Sequence, residues 1–267
     1  ASASMKWRTF VGARPASAIV VLVVLSLRAA ASADDILVMT SGAFTAPYLE
    51  LAPGYERSTG NKFKTLATSM GTGTDSIPNR LRRGEHVDIV IVAADALDAL
   101  IDNGMVRAGS RVDLARSSIG MAVKSGARRP DISSVDALRR TLLEARSVAY
   151  SASVSGDYLV NELFPKLGVA NELQSKGMRI ERERVGDVVA RGDAEIGFQQ
   201  LSELLPIKGL DLVGPLPREV QRVTVFAAGI AASSTNIAAA RAFIDFLASP
   251  SAASVIAKSG LEPLSVK

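Results

Sequence analysis

The chain has 267 residues, no cysteine, one histidine (His86) and a formal net charge of +4. The missing thiols exclude disulfides, cysteine nucleophiles and thiolate metal sites, and a single histidine cannot build a multi-histidine metal site. We therefore expect no metal, and nothing in the composition calls for a cofactor.

Residues 1–33 have the pattern of a secretory signal peptide. A basic start at 5–14 precedes the apolar run 18–27, and the small residues Ala31-Ser32-Ala33 end the segment. We predict that residues 1–33 are a short scar ahead of an initiator Met5, followed by a signal peptide that is cleaved after residue 33. The apolar run is shorter than the roughly 20 residues of a membrane-spanning helix, so we predict no membrane insertion after cleavage. An exported chain of this kind fits a Gram-negative periplasm.

The positive charge of the chain belongs to the predicted signal peptide. Four of the 31 basic residues and none of the 27 acidic residues lie in 1–33, which leaves 27 of each sign in the remainder. A nucleic-acid binder needs a basic excess, so we predict no nucleic-acid partner. The remaining length suits one large or two small domains, and we take a monomer as the default.

Short apolar runs alternate with helical patterns along the rest of the chain. Strands are predicted, in chain order, at 36–39, 63–67, 87–92, 119–123, 147–150, 194–199 and 223–230. Helices are predicted at 47–58, 76–83, 96–103, 135–144, 157–167, 185–191, 237–247 and 251–259. This alternation is typical of an α/β fold with largely parallel sheets. No flexible linker interrupts it, so we expect two lobes that are joined by crossing strands.

Several predicted strands end in small polar residues. Ligands of open α/β sheets bind at the carboxyl ends of strands, and helix N-termini there favour anions. The loops 40–42, 68–74 and 151–156 fit such a site, although the first and last fit helix caps equally well. The candidate ligand-binding residues outside the middle loop are Thr40, Ser41, Ser153, Gly156, Gln199 and Gln200.

One nucleotide-binding motif and one hydrolase motif were sought, and both are absent from the sequence. The loop 68–74 lacks the G-x-x-x-x-G-K-[ST] pattern of a P-loop. No G-x-S-x-G elbow is present, so hydrolase chemistry has no support.

The order of these motifs resembles the periplasmic molybdate-binding protein family over nearly all of the chain after residue 33. The stretches that carry the resemblance are ILVMTSGAFTAPYLELAPGYERSTG, TLATSMGTGTD, RRGEHVDIVIVAAD, SVAYSASVSGDYLVNELFPKLG, VVARGDAEIGFQQLSEL and AFIDFLASPSAASVIAKSG. The resemblance implies a two-lobed type II periplasmic binding protein fold with the ligand cleft between lobes. It implies lobe I at 34–116 plus 224–267 and lobe II at 117–223, and it places Ser69, Gly71, Thr72 and Ser155 in the cleft.

The chain departs from that family at three ligand positions. The family's first-loop serine falls on Ala43, its second-loop serine pair reads Ser69-Met70, and its late tyrosine falls on Gln200. We interpret the chain as a member of the superfamily whose ligand has changed, toward a larger anion that carries carboxylates.

Two functions follow from this interpretation. The favoured one is a periplasmic solute-binding protein that delivers a small oxyanion or carboxylate anion to the permease of an ABC importer. The alternative is an enzyme similar to periplasmic aconitate isomerases, which needs a base near a tricarboxylate. Its candidate bases are Asp75, Asp157 and, less favoured, His86. Each of these residues is more easily explained as a helix-start carboxylate or a surface residue, so the binding protein is the favoured function.

Overall fold

The computed structural model describes residues 35–66, 68 and 73–264. The predicted signal peptide and the candidate residues Ser69, Gly71 and Thr72 lie outside this part of the chain, so both remain predictions. In the described part, no helix has the length and apolar character needed to span a membrane.

The described residues form strands and helices in alternation, which confirms the predicted α/β class. The strands are Ile36–Thr40 (β1), Phe63–Thr65 (β2), Ile89–Ala93 (β3), Val112–Ser117 (β4), Ile119–Lys124 (β5), Val148–Ser151 (β6), Gly177–Ile180 (β7), Ile196–Gln200 (β8), Leu210–Pro215 (β9), Thr224–Ile230 (β10) and Glu262–Pro263 (β11). The α-helices are Gly42–Thr59 (α1), Ile77–Arg82 (α2), Ala94–Asp102 (α3), Val135–Glu144 (α4), Val154–Tyr158 (α5), Phe164–Lys166 (α6), Ala170–Lys176 (α7), Val185–Ala190 (α8), Leu201–Leu204 (α9), Ile237–Leu247 (α10) and Pro250–Lys258 (α11). A π-turn covers Leu159–Leu163 and a 3-10 turn covers Arg218–Val220.

The strands form two sheets. Sheet I has the order β11-β4-β10-β3-β1-β2, in which β1 is parallel to β2 and β3, and β10 runs antiparallel to β3 and β4. Sheet II has the order β7-β6-β8-β5-β9, in which β6 is parallel to β7 and β8, and β5 runs antiparallel to β8 and β9. Sheet I thus draws strands from both ends of the described chain, and sheet II from its middle.

Both faces of sheet I are covered, which explains the continuous apolar run that predicted β3. Ile89 and Ile91 pack into one core cluster together with α1, α10 and α11. Val90 and Val92 pack into a second cluster with α3. Successive side chains of a strand point to opposite faces, so a strand buried on both sides reads as uniformly apolar.

The chain passes between the sheets twice. Only residue 118 separates β4 from β5, and 216–223 connects β9 to β10. The side-chain amide of Gln221 ties the two crossings together, because the Ile119 N–H donates to Gln221 Oε1 (2.9 Å) and Gln221 Nε2 donates to the Ile119 carbonyl (2.9 Å). Because both crossings are short and are joined by these hydrogen bonds, the backbone that connects the two sheets has little conformational freedom.

Helix α1 begins five residues before the predicted start at Pro47, so that predicted boundary was wrong. A proline inside a helix removes the N–H that would bond to the carbonyl four residues earlier, here that of Ala43. Ser202 on α9 supplies the missing donor, because its Oγ donates to the Ala43 carbonyl at 2.7 Å within the buried interior. The tertiary contact therefore lets α1 continue through Pro47, and it also links α1 to α9.

We expect Ser202→Ala to destabilise the protein by about 1 to 3 kcal/mol, because it leaves the Ala43 carbonyl buried without a donor. In a Pro47→Ala background the same change should cost clearly less, since the restored N–H at 47 can bond to that carbonyl. Urea unfolding of the four proteins in this double-mutant cycle measures the difference. An equal loss in both backgrounds would contradict this account of α1.

Candidate functional site

A cleft of about 230 Å³ lies between sheets I and II, and its wall includes the carboxyl ends of strands from both. The described residues that line it are Ser41, Gly42, Ala43, Thr68, Ile77, Pro78, Val92, Ala93, Ala96, Leu100, Ala152, Ser153, Val154, Asp157, Gln200, Glu203 and Phe226. Ser41 follows β1, Ala93 ends β3, Ala152 follows β6 and Gln200 ends β8. This is the position at which α/β sheets bind ligands.

A larger, open groove of about 800 Å³ lies elsewhere on sheet II, around Lys124, Arg140 and Ile196. Ile196 is the first residue of β8, so this groove lies at the opposite end of that strand from the cleft. No strand of sheet I contributes to it among the described residues. We take the smaller cleft as the candidate site.

Two buried hydrogen-bond donors of the cleft have no partner in the described part of the chain, the Ser41 hydroxyl and Gln200 Nε2. The orientation of the Gln200 amide is fixed, because the buried Ser117 Oγ donates to its Oε1 at 2.6 Å. The amide nitrogen is therefore left free at the cleft. A buried donor without an acceptor costs about 1 to 3 kcal/mol, so both groups are suited to a ligand oxygen.

Helices α1 and α3 begin at the cleft, and neither N-cap side chain makes a capping hydrogen bond. The first N–H groups of a helix have no partner within the helix and carry a partial positive charge. Lysine and arginine are absent from the described lining. The cleft can therefore hold an anion through neutral donors and helix ends.

Glu203 on α9 is the unexpected residue of the cleft. The residue is 6% exposed, and burial raises the pKa of its carboxyl to about 8, while the charge of Arg184 acts in the opposite direction. Gln199 Nε2 donates to Glu203 Oε1 at 3.0 Å. At neutral pH the carboxyl is therefore mostly protonated, and it can exchange a proton within the range in which enzymes work.

Gly42 makes room for this carboxyl. A Cβ at position 42 would lie 1.9 Å from Glu203 Oε1 and 2.8 Å from its Cδ. Any side chain at the start of α1 would therefore displace the carboxyl from its place against that helix end.

The structure brings together some of the predicted ligand-binding residues. Ser41, Ser153 and Gln200 line the cleft. Thr40, Ser155, Gly156 and Gln199 are buried but are not among the described residues of its wall.

The serine-rich loop after β6 is held mainly by its own hydroxyls. Ser151 Oγ lies 2.8 Å from Ser153 Oγ and 2.9 Å from Ser155 Oγ, and only Ser153 of the three lines the cleft. A Cβ at Gly156 would lie 1.6 Å from the Ser151 carbonyl oxygen. Gly156 therefore lets α5 pack directly on the backbone of β6, and Ser155 anchors the loop.

The predicted bases are placed differently from Glu203. Asp157 lines the cleft, but its half-exposed carboxylate pairs with Arg179 at 3.3 Å. Asp75 is exposed and is not among the described lining residues. His86 is about half exposed and lies 4.0 Å from the buried Asp88.

Sequence reasoning missed Glu203, together with the apolar wall formed by Val92, Leu100 and Phe226. The sequence did contain a feature that could have pointed to Glu203. This residue stands four positions after Gln199, in the segment that directly follows a predicted buried strand. Its burial depends on α1, which is far away in sequence. Among the described residues, no group of three or more His, Cys, Asp or Glu side chains could hold a metal ion.

Comparisons with known proteins support an extracellular binding-protein scaffold. A model of the family described as bacterial extracellular solute-binding protein matches residues 36–262. An aconitate isomerase of Pseudomonas sp is 45% identical over 239 residues, which cover 89% of this chain and 91% of that protein. The molybdate-binding protein ModA of Azotobacter vinelandii is 27% identical over 241 residues, which cover 86% of this chain and 90% of that protein.

Solved structures show the same fold at low identity. The periplasmic molybdate-binding protein of Azotobacter vinelandii matches with a TM-score of 0.69 and 20% identity, over 85% of this chain and 98% of that one. The tungstate-binding protein TupA of Desulfovibrio alaskensis G20 matches with a TM-score of 0.60 and 17% identity, over 86% and 99%. The predicted two-lobed periplasmic binding protein fold and the resemblance to molybdate-binding proteins are confirmed.

We expect Glu203→Gln to stabilise the protein at high pH. The folded chain keeps the Glu203 proton up to about pH 8, whereas an unfolded glutamate loses it near 4.5. Between these values the unfolded state binds fewer protons, so Glu203 lowers stability progressively as the pH rises. Urea unfolding should give a gain of roughly 3 to 5 kcal/mol for Glu203→Gln at pH 9 and little change at pH 4.5.

The matched control for that measurement is Glu50→Gln, which makes the same chemical change on an exposed residue of α1. It should change stability by less than about 0.5 kcal/mol at either pH. A gain for Glu203→Gln that does not depend on pH would mean that Glu203 ionises like an ordinary glutamate.

Proposed function

The chain belongs to the family of bacterial extracellular solute-binding proteins, and on that premise we propose that it is a periplasmic isomerase that moves a proton along a tricarboxylate such as aconitate. The observation that carries this proposal is Glu203, a buried carboxyl on the wall of an anion-binding cleft. The relative that is 45% identical over 89% of the chain bears the name aconitate isomerase.

A protein that only binds anions gains nothing from Glu203. When ionised, the carboxylate repels an anion in the same cleft, and it also lowers the stability of the fold above pH 4.5. Carboxyl groups with a strongly raised pKa in clefts are typical of acid–base catalysis. A catalytic role explains a residue that otherwise only weakens the protein.

The proposed reaction needs one base and no cofactor. Ionised Glu203 takes a proton from the methylene carbon of the substrate, and the electron pair of that C–H bond spreads over the adjacent C=C bond and its carboxylates. Protonated Glu203 then returns the proton to the other end of the allylic unit. One C–H bond is broken, another is formed and the double bond moves by one carbon. A positioned base of this kind contributes about 10² to 10⁴ in rate.

The rest of the cleft suits the substrate of this reaction. Ser41 Oγ, Gln200 Nε2 and the start of α1 offer donors to carboxylate oxygens, and the intermediate carbanion spreads its charge onto those same oxygens. The apolar residues Val92, Leu100 and Phe226 face the same space and can cover the carbon chain.

A second function, the favoured prediction from sequence, is a solute-binding protein that delivers a small anion to the permease of an ABC importer. Two observations favour this function. The chain belongs to a family of solute-binding proteins, and a bound oxyanion or carboxylate alone would satisfy the two unpartnered donors. In this case the cleft closes on its ligand without chemistry, and Glu203 has no role in turnover.

We expect Glu203→Gln to abolish isomerisation, lowering kcat by at least about 100-fold, because glutamine cannot accept a proton. Conversion between cis- and trans-aconitate, followed by proton NMR, measures it. Binding of the substrate, followed by thermal shift, should persist or improve in this variant since no negative charge remains at 203. Full turnover by Glu203→Gln would remove Glu203 from the mechanism.

The pH dependence separates the two functions. If Glu203 is the base, kcat/KM rises about tenfold per pH unit and levels off near pH 8, because only the ionised form accepts a proton. If the protein is only a binder, no turnover occurs and affinity for the anion falls above about pH 8 as Glu203 gains charge. Thermal-shift titration with aconitate, citrate, molybdate and tungstate across pH 6 to 9 gives the second profile.

We expect Gln200→Met to weaken ligand binding by roughly 5- to 50-fold, since it removes a donor that faces the cleft. The change should raise KM, or Kd for a pure binder. A matched substitution on the half-buried Gln221 would disturb the crossing between the sheets, so the better control is the surface change Glu50→Gln. Unchanged affinity in Gln200→Met would mean that the free amide does not contact the ligand.

A further inference from the structure

Gln199 and Gln200 are adjacent at the end of β8, yet their surroundings differ completely. Gln200 lines the cleft with a free amide nitrogen. Gln199 is fully buried, is not among the described lining residues, and uses both ends of its amide within the protein. Sequence alone predicted the same ligand-binding role for both.

The Gln199 amide has one possible orientation. The backbone N–H of Val185 donates to Gln199 Oε1 at 3.1 Å, and Gln199 Nε2 donates to Glu203 Oε1 at 3.0 Å. Exchanging the amide oxygen and nitrogen would set two donors against each other at Val185 and two acceptors against each other at an ionised Glu203. Gln199 therefore always presents a donor to Glu203.

The two oxygens of Glu203 are not equivalent. Oε1 accepts from Gln199 and lies against Gly42, where a Cβ would come within 1.9 Å. Oε2 has no hydrogen-bond partner in the described part of the chain. Oε2 is therefore the oxygen that remains available to a substrate in the cleft.

From this geometry we propose that Gln199 is a positioning residue, which holds Oε1 of Glu203 so that Oε2 faces the substrate and ionises at a lower pH than it would without the donor. This inference rests on the proposed function for its effect on turnover. Its physical basis is general, because a hydrogen bond donated to a carboxylate favours the charged form. Burial and Gln199 thus act on Glu203 in opposite directions.

Other charged groups around Glu203 are few. Arg184, at the start of α8, lowers the Glu203 pKa and is itself paired with Asp187 at 2.8 Å. Asp157 faces the same cleft and is paired with Arg179. The other charged residues on elements packed against α9 are not among the described residues of the cleft wall: Glu50, Glu56 and Arg57 of α1, Lys124 of β5 and Asp211 of β9. All of them stay in place in the variants below, so a shift reports on Gln199.

The first variant is Gln199→Met, which keeps the length of the side chain and removes the donor. The acid limb of the pH profile of kcat/KM should move up by about one pH unit, while KM for aconitate changes less than about threefold. The infrared carbonyl band of the protonated Glu203, identified by difference from Glu203→Gln, should titrate with the same upward shift.

A second variant leaves Gln199 in place and covers the case in which Gln199→Met does not fold. Val185 is the first residue of α8, where proline is well tolerated, and Val185→Pro removes the N–H that orients the Gln199 amide. It should move the pH limb in the same direction by a smaller amount. The matched control Val185→Ala keeps the N–H and should leave the limb unchanged.

Gln200→Met completes the design, since it should raise KM and leave the pH limb in place. The positioning role would be overturned if the acid limb of the kcat/KM profile stayed in place in both Gln199→Met and Val185→Pro. A change in KM without a shift of that limb would overturn it as well. The proposed function fails separately, if Glu203→Gln remains active. In that event the infrared titration of Glu203 still decides whether Gln199 sets its ionisation.

Discussion

The Glu203 carboxyl is buried where helices α1 and α9 begin, and the surrounding residues are arranged to accommodate it. A buried carboxyl requires hydrogen bonds and close packing, because an unpaired charge in the interior is costly. Gly42 gives it space, Gln199 gives it a donor, and the Ser202 hydroxyl fixes α9 against the Ala43 carbonyl. That last bond exists because Pro47 leaves the carbonyl without its helical partner. A residue inside α1 thus helps to place a carboxyl on the facing lobe.

The charges of the cleft contrast with those of the surface. Ion pairs such as Arg184 with Asp187 and Arg191 with Glu183 involve exposed side chains and contribute little to stability. In the cleft, by comparison, neutral hydroxyl and amide donors face the ligand space together with the buried Glu203 carboxyl and the half-exposed Asp157. Neutral donors can hold an anion without fixing Glu203 in its charged form, as a nearby lysine or arginine would. The absence of cations from the described lining therefore suits a carboxyl that must both lose and regain a proton.

The same scaffold serves binding and catalysis with few changes. The fold, which this chain shares with molybdate- and tungstate-binding proteins, brings strand ends and helix N-termini to one cleft, and such positions favour anions. Turning such a cleft into an enzyme requires a group that can exchange a proton at the ligand. Under the proposed function, one buried glutamate and its supporting glutamine meet that requirement in this chain, while the apolar wall leaves room for a carbon skeleton. Function is thus decided by a few side chains on a shared fold.

The sequence by itself determined the fold class and the position of the cleft. The apolar runs of β1, β3 and β10 and the polar loops that follow β1 and β6 depend on local periodicity, which can be read directly. It missed β4, β7, β9 and β11, whose short or mixed polar segments form strands only because neighbouring strands pair with them. It also started α1 at Pro47 instead of Gly42, since the Ser202 hydroxyl that bonds to the Ala43 carbonyl lies 159 residues further along the chain.

Only the tertiary structure decided which carboxyl is the candidate base. Asp75 and Asp157 were candidates because they stand in or beside the polar loops of the sequence, but Glu203 is the carboxyl that the fold buries in the wall of the cleft. The tertiary structure also distinguished Gln199 from Gln200. The two residues are of the same type and adjacent in the sequence, but their surroundings differ. Burial depends on segments that are distant in the chain, and it is burial that changes a pKa.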